Sequence, residues 1–331
     1  MNANVYLTSY LAPFSPWLSR ADVTDILVNR PGEAWIETVA GEMSRVEAAE
    51  LTEVALSRLA RQIAASTSQG VNREHPLLSA SLPDGARIQI IAPPATRHGL
   101  ALAVRKHTIS DLSISQLAGA GLFSRADLTR TDTETNAHLS ALLERGLIDE
   151  FLIEAVQQRK TIVLSGGTSS GKTTLLNALI KEIDQRERLI VIEDAPEVKL
   201  GHPNVVGLIA VRGDMGEARV GAEELLQASL RMRPDRILLG ELRGKEAFAF
   251  LRAVNTGHPG SLTTVHADSP AGAIDQIAMM ALLSGVDIGW ASIRAYARQV
   301  VDIVVQLKRA DGRRFISEVS FNQAPQSTEA L

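Results

Sequence analysis

The sequence predicts an α/β protein in two parts: an α+β N-terminal domain, then a domain built on a mostly parallel sheet. Three observations predict it. Strand-like and helix-like segments alternate from about residue 160 onward, which is the pattern of a parallel sheet covered by helices on both faces. Before residue 107, short strands mix with helices instead. Between them runs a stretch rich in Ser, Thr, Gly, Asp and Ala, read as a linker. The expected organisation is 1–106, a linker over 107–135, and 136–331. A chain of 331 residues suits two domains.

In the first part, strands at 23–29 and 34–38 flank the Pro31-Gly32 turn signal and form a pair. Leu51, Val54, Leu56, Leu59, Ala60 and Ile63 recur at helical spacing, predicting a helix over 48–66. Strands follow at 77–82, 86–91 and 100–106, with a tight turn at Pro83-Asp84-Gly85. After the linker comes a helix over 137–157. Strands are then expected at 161–165, 188–193, 236–240 and 261–266, with helices at 172–183, 222–230, 244–254 and 269–283. Two antiparallel edge strands, 300–308 and 313–321, close the second domain around Asp311-Gly312, and the tail from 322 reads as disordered.

Composition removes several functions. With 34 basic and 38 acidic residues the net charge is -4, so there is no global basic field for nucleic acid. Aromatic residues are 4% of the chain, too few for a base-stacking track, so direct nucleic-acid binding is not expected. The chain has no cysteine, which excludes disulfides, thiol catalysis and cysteine-ligated zinc. No apolar run approaches the roughly 20 residues of a membrane span. The N-terminus lacks a basic start, and Pro13 and Pro16 interrupt its apolar residues, so it does not read as a signal peptide. The expected location is cytoplasmic. Candidates for peripheral membrane contact are residues 6–18 and the basic stretch 308–314.

"GGTSSGKT" at 166–173 fits G-x-x-x-x-G-K-[ST], with a strand before it and a helix after. Glycines let backbone N–H groups converge on phosphate oxygens, and the helix start adds its own unpaired donors. Gly166, Gly167, Thr168, Ser169, Ser170, Gly171, Lys172, Thr173 and Thr174 are therefore the candidate phosphate cradle. Lys172 would reach the β and γ phosphates, and the Thr173 hydroxyl would ligate Mg²⁺. The plain alternative is a flexible Gly/Ser turn that binds nothing.

Such a site also needs acids at the C-terminal ends of neighbouring strands. "LIVIED" ends in Glu193 and Asp194, with Glu197 close behind; "RILLGE" ends in Gly240 and Glu241. Glu241 is the candidate to orient or deprotonate the attacking water, and Glu193 to act through the waters of the metal. His258 and His266 flank a strand, and His266 ends it on the same side of the sheet. Their spacing, without a third ligand, does not suggest a metal site.

Taken together, "GGTSSGKTT", "IEDAPE", "LRMRPDRILLGELRGKEAFAF" and "NTGHPGSLTTVHA" resemble the P-loop, aspartate-box, Walker B and histidine-box motifs of the type II/type IV secretion ATPases. "LPDGARIQIIAPP" and "LALAVRK" are most similar to the type IV secretion and conjugative DNA-transfer branch, and the likeness runs from about residue 23 to 321. The resemblance implies a RecA-like P-loop NTPase domain, ATP and Mg²⁺, and a homohexameric ring. It implies hydrolysis on the cytoplasmic face of the inner membrane, alongside other channel ATPases and inner-membrane channel components, powering pilus assembly and substrate translocation. It makes Lys172, Glu193 and Glu241 the catalytic set and places His266 in the histidine box. Arg87 and Arg105 match N-terminal arginines that reach the phosphates. Arg231, Arg233, Arg236 and Arg243 are further candidates to act between subunits. The alternatives are a type II secretion or type IV pilus assembly or retraction ATPase, and an ATP-binding assembly scaffold.

Overall fold

The structure is a computed structural model and describes residues 3–106, 113–119, 123, 133–211 and 216–322. Most of the expected linker, part of the loop around 213–220, and the tail beyond Asn322 lie outside the described residues.

The chain opens with α1 (Ala3–Leu11) and a short α2 (Ser15–Leu18). Pro16 does not break the latter: it sits in the first turn, where its missing N–H has no partner to lose. Strands β1 (Val23–Val28), β2 (Gly32–Thr38) and β3 (Met43–Ala48) form a meander, followed by α3 (Glu53–Ser66). Thr52 caps α3, its hydroxyl accepting the Ala55 N–H at 3.2 Å, so the helix starts later than residue 48 and Ala48 ends a strand instead. β4 (Leu77–Ser81), β5 (Arg87–Ile91) and β6 (Ala101–Arg105) complete an antiparallel sheet ordered β3-β2-β1-β6-β5-β4.

The second half begins with α4 (Ile114–Gly119), α5 (Thr133–Glu144) and α6 (Ile148–Gln157). The single helix expected over 137–157 is two, broken where Gly146 takes φ 74°. Then β7 (Ile162–Gly166), α7 (Lys172–Leu179), β8 (Leu189–Glu193), β9 (Val205–Ile209), α8 (Ala222–Ser229) and β10 (Arg236–Leu239) follow. Next come α9 (Glu246–Asn255), β11 (Leu262–Val265), α10 (Pro270–Leu282), α11 (Trp290–Val300), β12 (Ile303–Ala310) and β13 (Arg313–Phe321). The sheet order is β13-β12-β7-β11-β10-β8-β9, parallel except for β13. The expected fold class is borne out. One strand is corrected: β12 is not an edge but pairs in parallel with β7, and only β13 runs antiparallel at the rim.

Alternation along the first sheet explains how the halves meet. Ile26, Val28, Ile36, Ile88 and Leu102 bury against Leu7, Trp17, Leu56 and Ile63 of the helices. Their neighbours on the other face, Leu27, Trp35, Ile91, Ala101 and Ala103, share a core with Ile190, Val206, Leu208 and Ile237 of the second sheet. Polar ties reinforce this contact. Arg233 grips the Glu37 carboxylate with two nitrogens and also Asp235 at 2.6 Å. Arg188, fully buried, donates to Asn29 and to Asn204 Oδ1. The chain between β5 and β6 adds a short antiparallel strand to the edge of β9. There Thr96 bridges Leu208, Arg97 N–H donates to Gly207 O at 2.9 Å, and Ile209 N–H to Ala95 O at 2.9 Å.

Arg236 fastens the start of β10. It is 1% exposed, holds both Glu187 oxygens at 2.8 and 2.6 Å, and donates to Val156 O and Gly260 O. Arg236→Ala removes two close bonds from the largely sheltered Glu187 carboxylate, which among the described residues keeps only Arg159 at 3.5 Å, and takes this donor from the Val156 and Gly260 carbonyls. The expected loss is about 3–5 kcal/mol of stability, read from urea denaturation followed by circular dichroism.

Candidate active site

The glycine-rich loop joins β7 to α7. Gly171 takes φ 101° and Ser169 φ 62°, and a Cβ on Gly166 would lie 2.6 Å from both Leu307 O and Ser170 Oγ. The loop therefore needs glycine at 171, where it turns left-handed into the helix, and at 166, where it presses on β12, while Ser169 takes its left-handed turn without one. Its concave side opens on a cavity of about 420 Å³. Thr168, Ser169, Ser170, Gly171, Lys172, Thr173 and Thr174 line it from one side, and Glu193, Glu241 and His266 from the strand ends. Gly166 and Gly167 serve through their carbonyls: Lys172 Nζ donates to them at 2.7 and 3.0 Å. Burial holds the ammonium below lysine's ordinary pKa, against the pull of Glu241. The Thr173 hydroxyl donates to Glu197 Oε2 at 3.2 Å. Ser170 Oγ is buried without a partner in the loop.

Glu241 stands just past β10, on a backbone pinned by Thr264 Oγ1 donating to Gly240 O at 2.8 Å. Each of its oxygens is engaged: Oε1 lies 3.1 Å from His266 Nε2, and Oε2 accepts from Arg243 Nη2 at 2.6 Å. Burial alone pushes its pKa up. The hydrogen bond and charge of Arg243, with the charges of His266 and Lys172, outweigh burial and hold the carboxyl below the usual range. Arg243 also reaches Asp194 at 3.4 Å. Glu193, at the end of β8, is 5% exposed, and burial pushes its pKa up. Its Oε1 accepts the N–H groups of Glu197 and Val198 at 2.9 and 2.6 Å, and Arg97 Nη1 donates to Oε2 at 3.0 Å. Gly240 makes room for it, since a Cβ there would sit 3.2 Å from Glu193 Cγ.

The structure does not bring Arg87 and Arg105 to this cavity. They pair side by side across β5 and β6, and with Arg231 they line a different cavity of about 540 Å³. Arg105 is tied to Asp25 at 2.9 Å. They sit on the paired strands themselves, whereas the connection between those strands reaches Glu193 through Arg97. Arg233 and Arg236 are internal fasteners, and His258 Nδ1 is bonded to Ala253 O at 2.9 Å. Sequence reasoning missed Arg97 and Arg314, the latter lining the loop cavity from β13 with its Cδ 3.3 Å from where a Gly171 Cβ would be. Nothing near Arg97 in the sequence points to a partner 96 positions away. Arg314 was legible only as part of a basic hairpin.

Residues 10–326 match the family model described as type II/IV secretion system protein. The type IV secretion system protein VirB11 of Bartonella henselae is 39% identical over 94% of this chain and 92% of its own. The type IV secretion system protein PtlH of Bordetella pertussis is 42% identical over 92% of this chain and 91% of its own. The crystal structure of the VirB11 ATPase from the Brucella suis type IV secretion system, in complex with sulphate, superposes with a TM-score of 0.88 at 38% identity, over 95% of this chain and 97% of that one. The resemblance carried by the four boxes is borne out. The glycine-rich loop, the acidic strand ends and these matches along nearly the whole length lead to one conclusion: the chain belongs to the type II/IV secretion system protein family.

Proposed function

We propose that the chain is an ATP hydrolase that works as a homohexameric motor of a type IV secretion or conjugative transfer system, driving pilus assembly and substrate translocation. The observation that carries the reading is the meeting of Lys172, Glu193, Glu241 and His266 around one cavity walled by a glycine-rich loop. The relatives named above at 39% and 42% identity are type IV secretion proteins, which favours that branch over a pilus retraction motor.

The residues suit a magnesium nucleotide. The bent loop presents its N–H groups at a helix start, a cradle for phosphate oxygens. Among the described residues no group of three His, Cys, Asp or Glu could hold a metal alone. Mg²⁺ in such enzymes uses one or two protein oxygens, waters and the phosphates themselves. Thr173 Oγ1 would be its direct ligand, with Glu193 and Glu241 acting through water. Bound there, Mg²⁺ would neutralise charge developing on the phosphates.

Lys172 would exchange the Gly166 and Gly167 carbonyls for phosphate oxygens. Glu241, fixed at both oxygens by His266 and Arg243, would orient the attacking water and accept its proton. Partners on this reading are channel components and companion ATPases at the inner membrane. Contact with the bilayer is peripheral; among the described residues no helix is long and apolar enough to cross it.

Solution mass tests the assembly. Six copies are expected once ATP and Mg²⁺ are added, measured by light scattering coupled to gel filtration. A monomer under every condition, together with no phosphate release, would overturn the reading.

A further inference from the structure

A buried carboxylate must have donors on both oxygens if it is to keep one orientation. Glu193 obtains those of Oε1 locally, from the turn that follows β8. Its Oε2 is served by Arg97, from the other half of the chain. The same Nη1 that reaches Oε2 at 3.0 Å donates to Val198 O at 2.8 Å. One guanidinium nitrogen thus ties the carboxylate to the turn that holds its other oxygen.

Arg97 is itself firmly placed. Its N–H is bonded to Gly207 O, and Thr96 beside it bridges Leu208, so its backbone is a strand added to β9. Its stem crosses β9 at the one position without a side chain: a Cβ on Gly207 would lie 2.5 Å from Arg97 Cδ. The guanidinium-bearing side chain is 17% exposed and that of Glu193 3%, so this is not a loose surface pair. It is a charge-assisted bond in partial shelter from water.

On the reading of Glu193 as a hydrolytic carboxylate, we propose that Arg97 is a positioning residue for ATP hydrolysis, aiming Glu193 into the Lys172 cavity from the N-terminal half of the chain. Turnover then requires that half to be docked along β9. Lifting the added strand withdraws the guanidinium and leaves Oε2 without its donor, while the loop and Lys172 still bind nucleotide.

The test is steady-state ATPase kinetics on Arg97→Ala, Arg97→Gln, Arg97→Lys, Glu193→Gln and the Arg97→Ala/Glu193→Gln pair. Arg97→Ala and Arg97→Gln should lower kcat by about tenfold to a hundredfold, the cost of a misplaced reacting group, with KM for ATP little changed. Lysine should restore part of the loss. The double variant should be no slower than Glu193→Gln alone, because both changes remove one function. Arg97→Gln keeps a stem across Gly207, so it carries the test if the alanine variant fails to fold by circular dichroism. Wild-type kcat in Arg97→Gln beside an impaired Glu193→Gln would overturn the role of Arg97 alone. Losses that multiply in the double variant would overturn it too, marking Arg97 as a general support. Wild-type kcat in Glu193→Gln would overturn the reading of Glu193 and the proposal with it.

Discussion

Glu241→Gln should lower ATP turnover by about two to four orders of magnitude, the span of a lost general base, while nucleotide binding persists. The amide keeps the shape of the side chain and still accepts from Arg243 through its oxygen. It loses the negative charge and the basicity that the water needs. Repulsion between this carboxylate and the terminal phosphate also disappears, so affinity for ATP should hold or rise. Phosphate release and titration with a fluorescent nucleotide separate the two effects. Turnover near the wild-type value would remove Glu241 from the mechanism. Glu241 should stay ionised to below the usual carboxylate range, because Arg243, His266 and Lys172 together outweigh burial, so the acid limb of wild-type activity should be set by Glu193, which burial pushes up. The stability contributed by Glu241 has a definite sign. A carboxyl with a depressed folded pKa stabilises fully above its unfolded value, and the contribution is lost as pH falls through the folded one.

Lys172→Ala should cost turnover about two to three orders of magnitude, as removal of a transition-state donor does, and should weaken ATP binding as well. The side chain is 8% exposed and already lies inside the loop, bonded to carbonyls it must release when phosphate arrives. The ammonium therefore needs no large rearrangement to reach the anion. Its depressed pKa gives an independent check. Charged lysine costs stability at neutral pH, because burial favours the neutral form. Stability of the wild type, relative to the alanine variant, should rise as pH climbs from the folded value toward that of ordinary lysine. Thermal melts across that range test it. A wild-type rate in Lys172→Ala would empty the proposed cavity of its function.

The phosphate loop, Glu193, Glu241 and His266 were legible because each sits where a strand ends, and local sequence marks that place. What lay outside the reading has local causes too. β3, "MSRVEA", has half of its residues exposed and only Ala48 buried, so it carries little apolar alternation. β9, "VVGLI", is interrupted by the glycine that Arg97 crosses. α11 buries only Ile293, Ala297 and Val300, too thin a stripe to stand out. β12 looked like a rim strand because its last residues are charged and exposed, yet its first five are buried beside β7. Arg87 and Arg105 were named by motif, which records residue type and not position in space; in this chain they line the second cavity with Arg231. Arg97 depends on contacts between distant segments, and no local pattern encodes those.

The strand that the β5–β6 connection lays along β9 has one more effect. A bare rim of a parallel sheet is a template on which foreign chains can pair and grow into aggregates. Here that rim is shielded by the molecule's own first half. Any opening of the two halves during a motor cycle would unmask it. Prolonged separation should therefore be a solubility hazard, and brief excursions are the safer way for this chain to move.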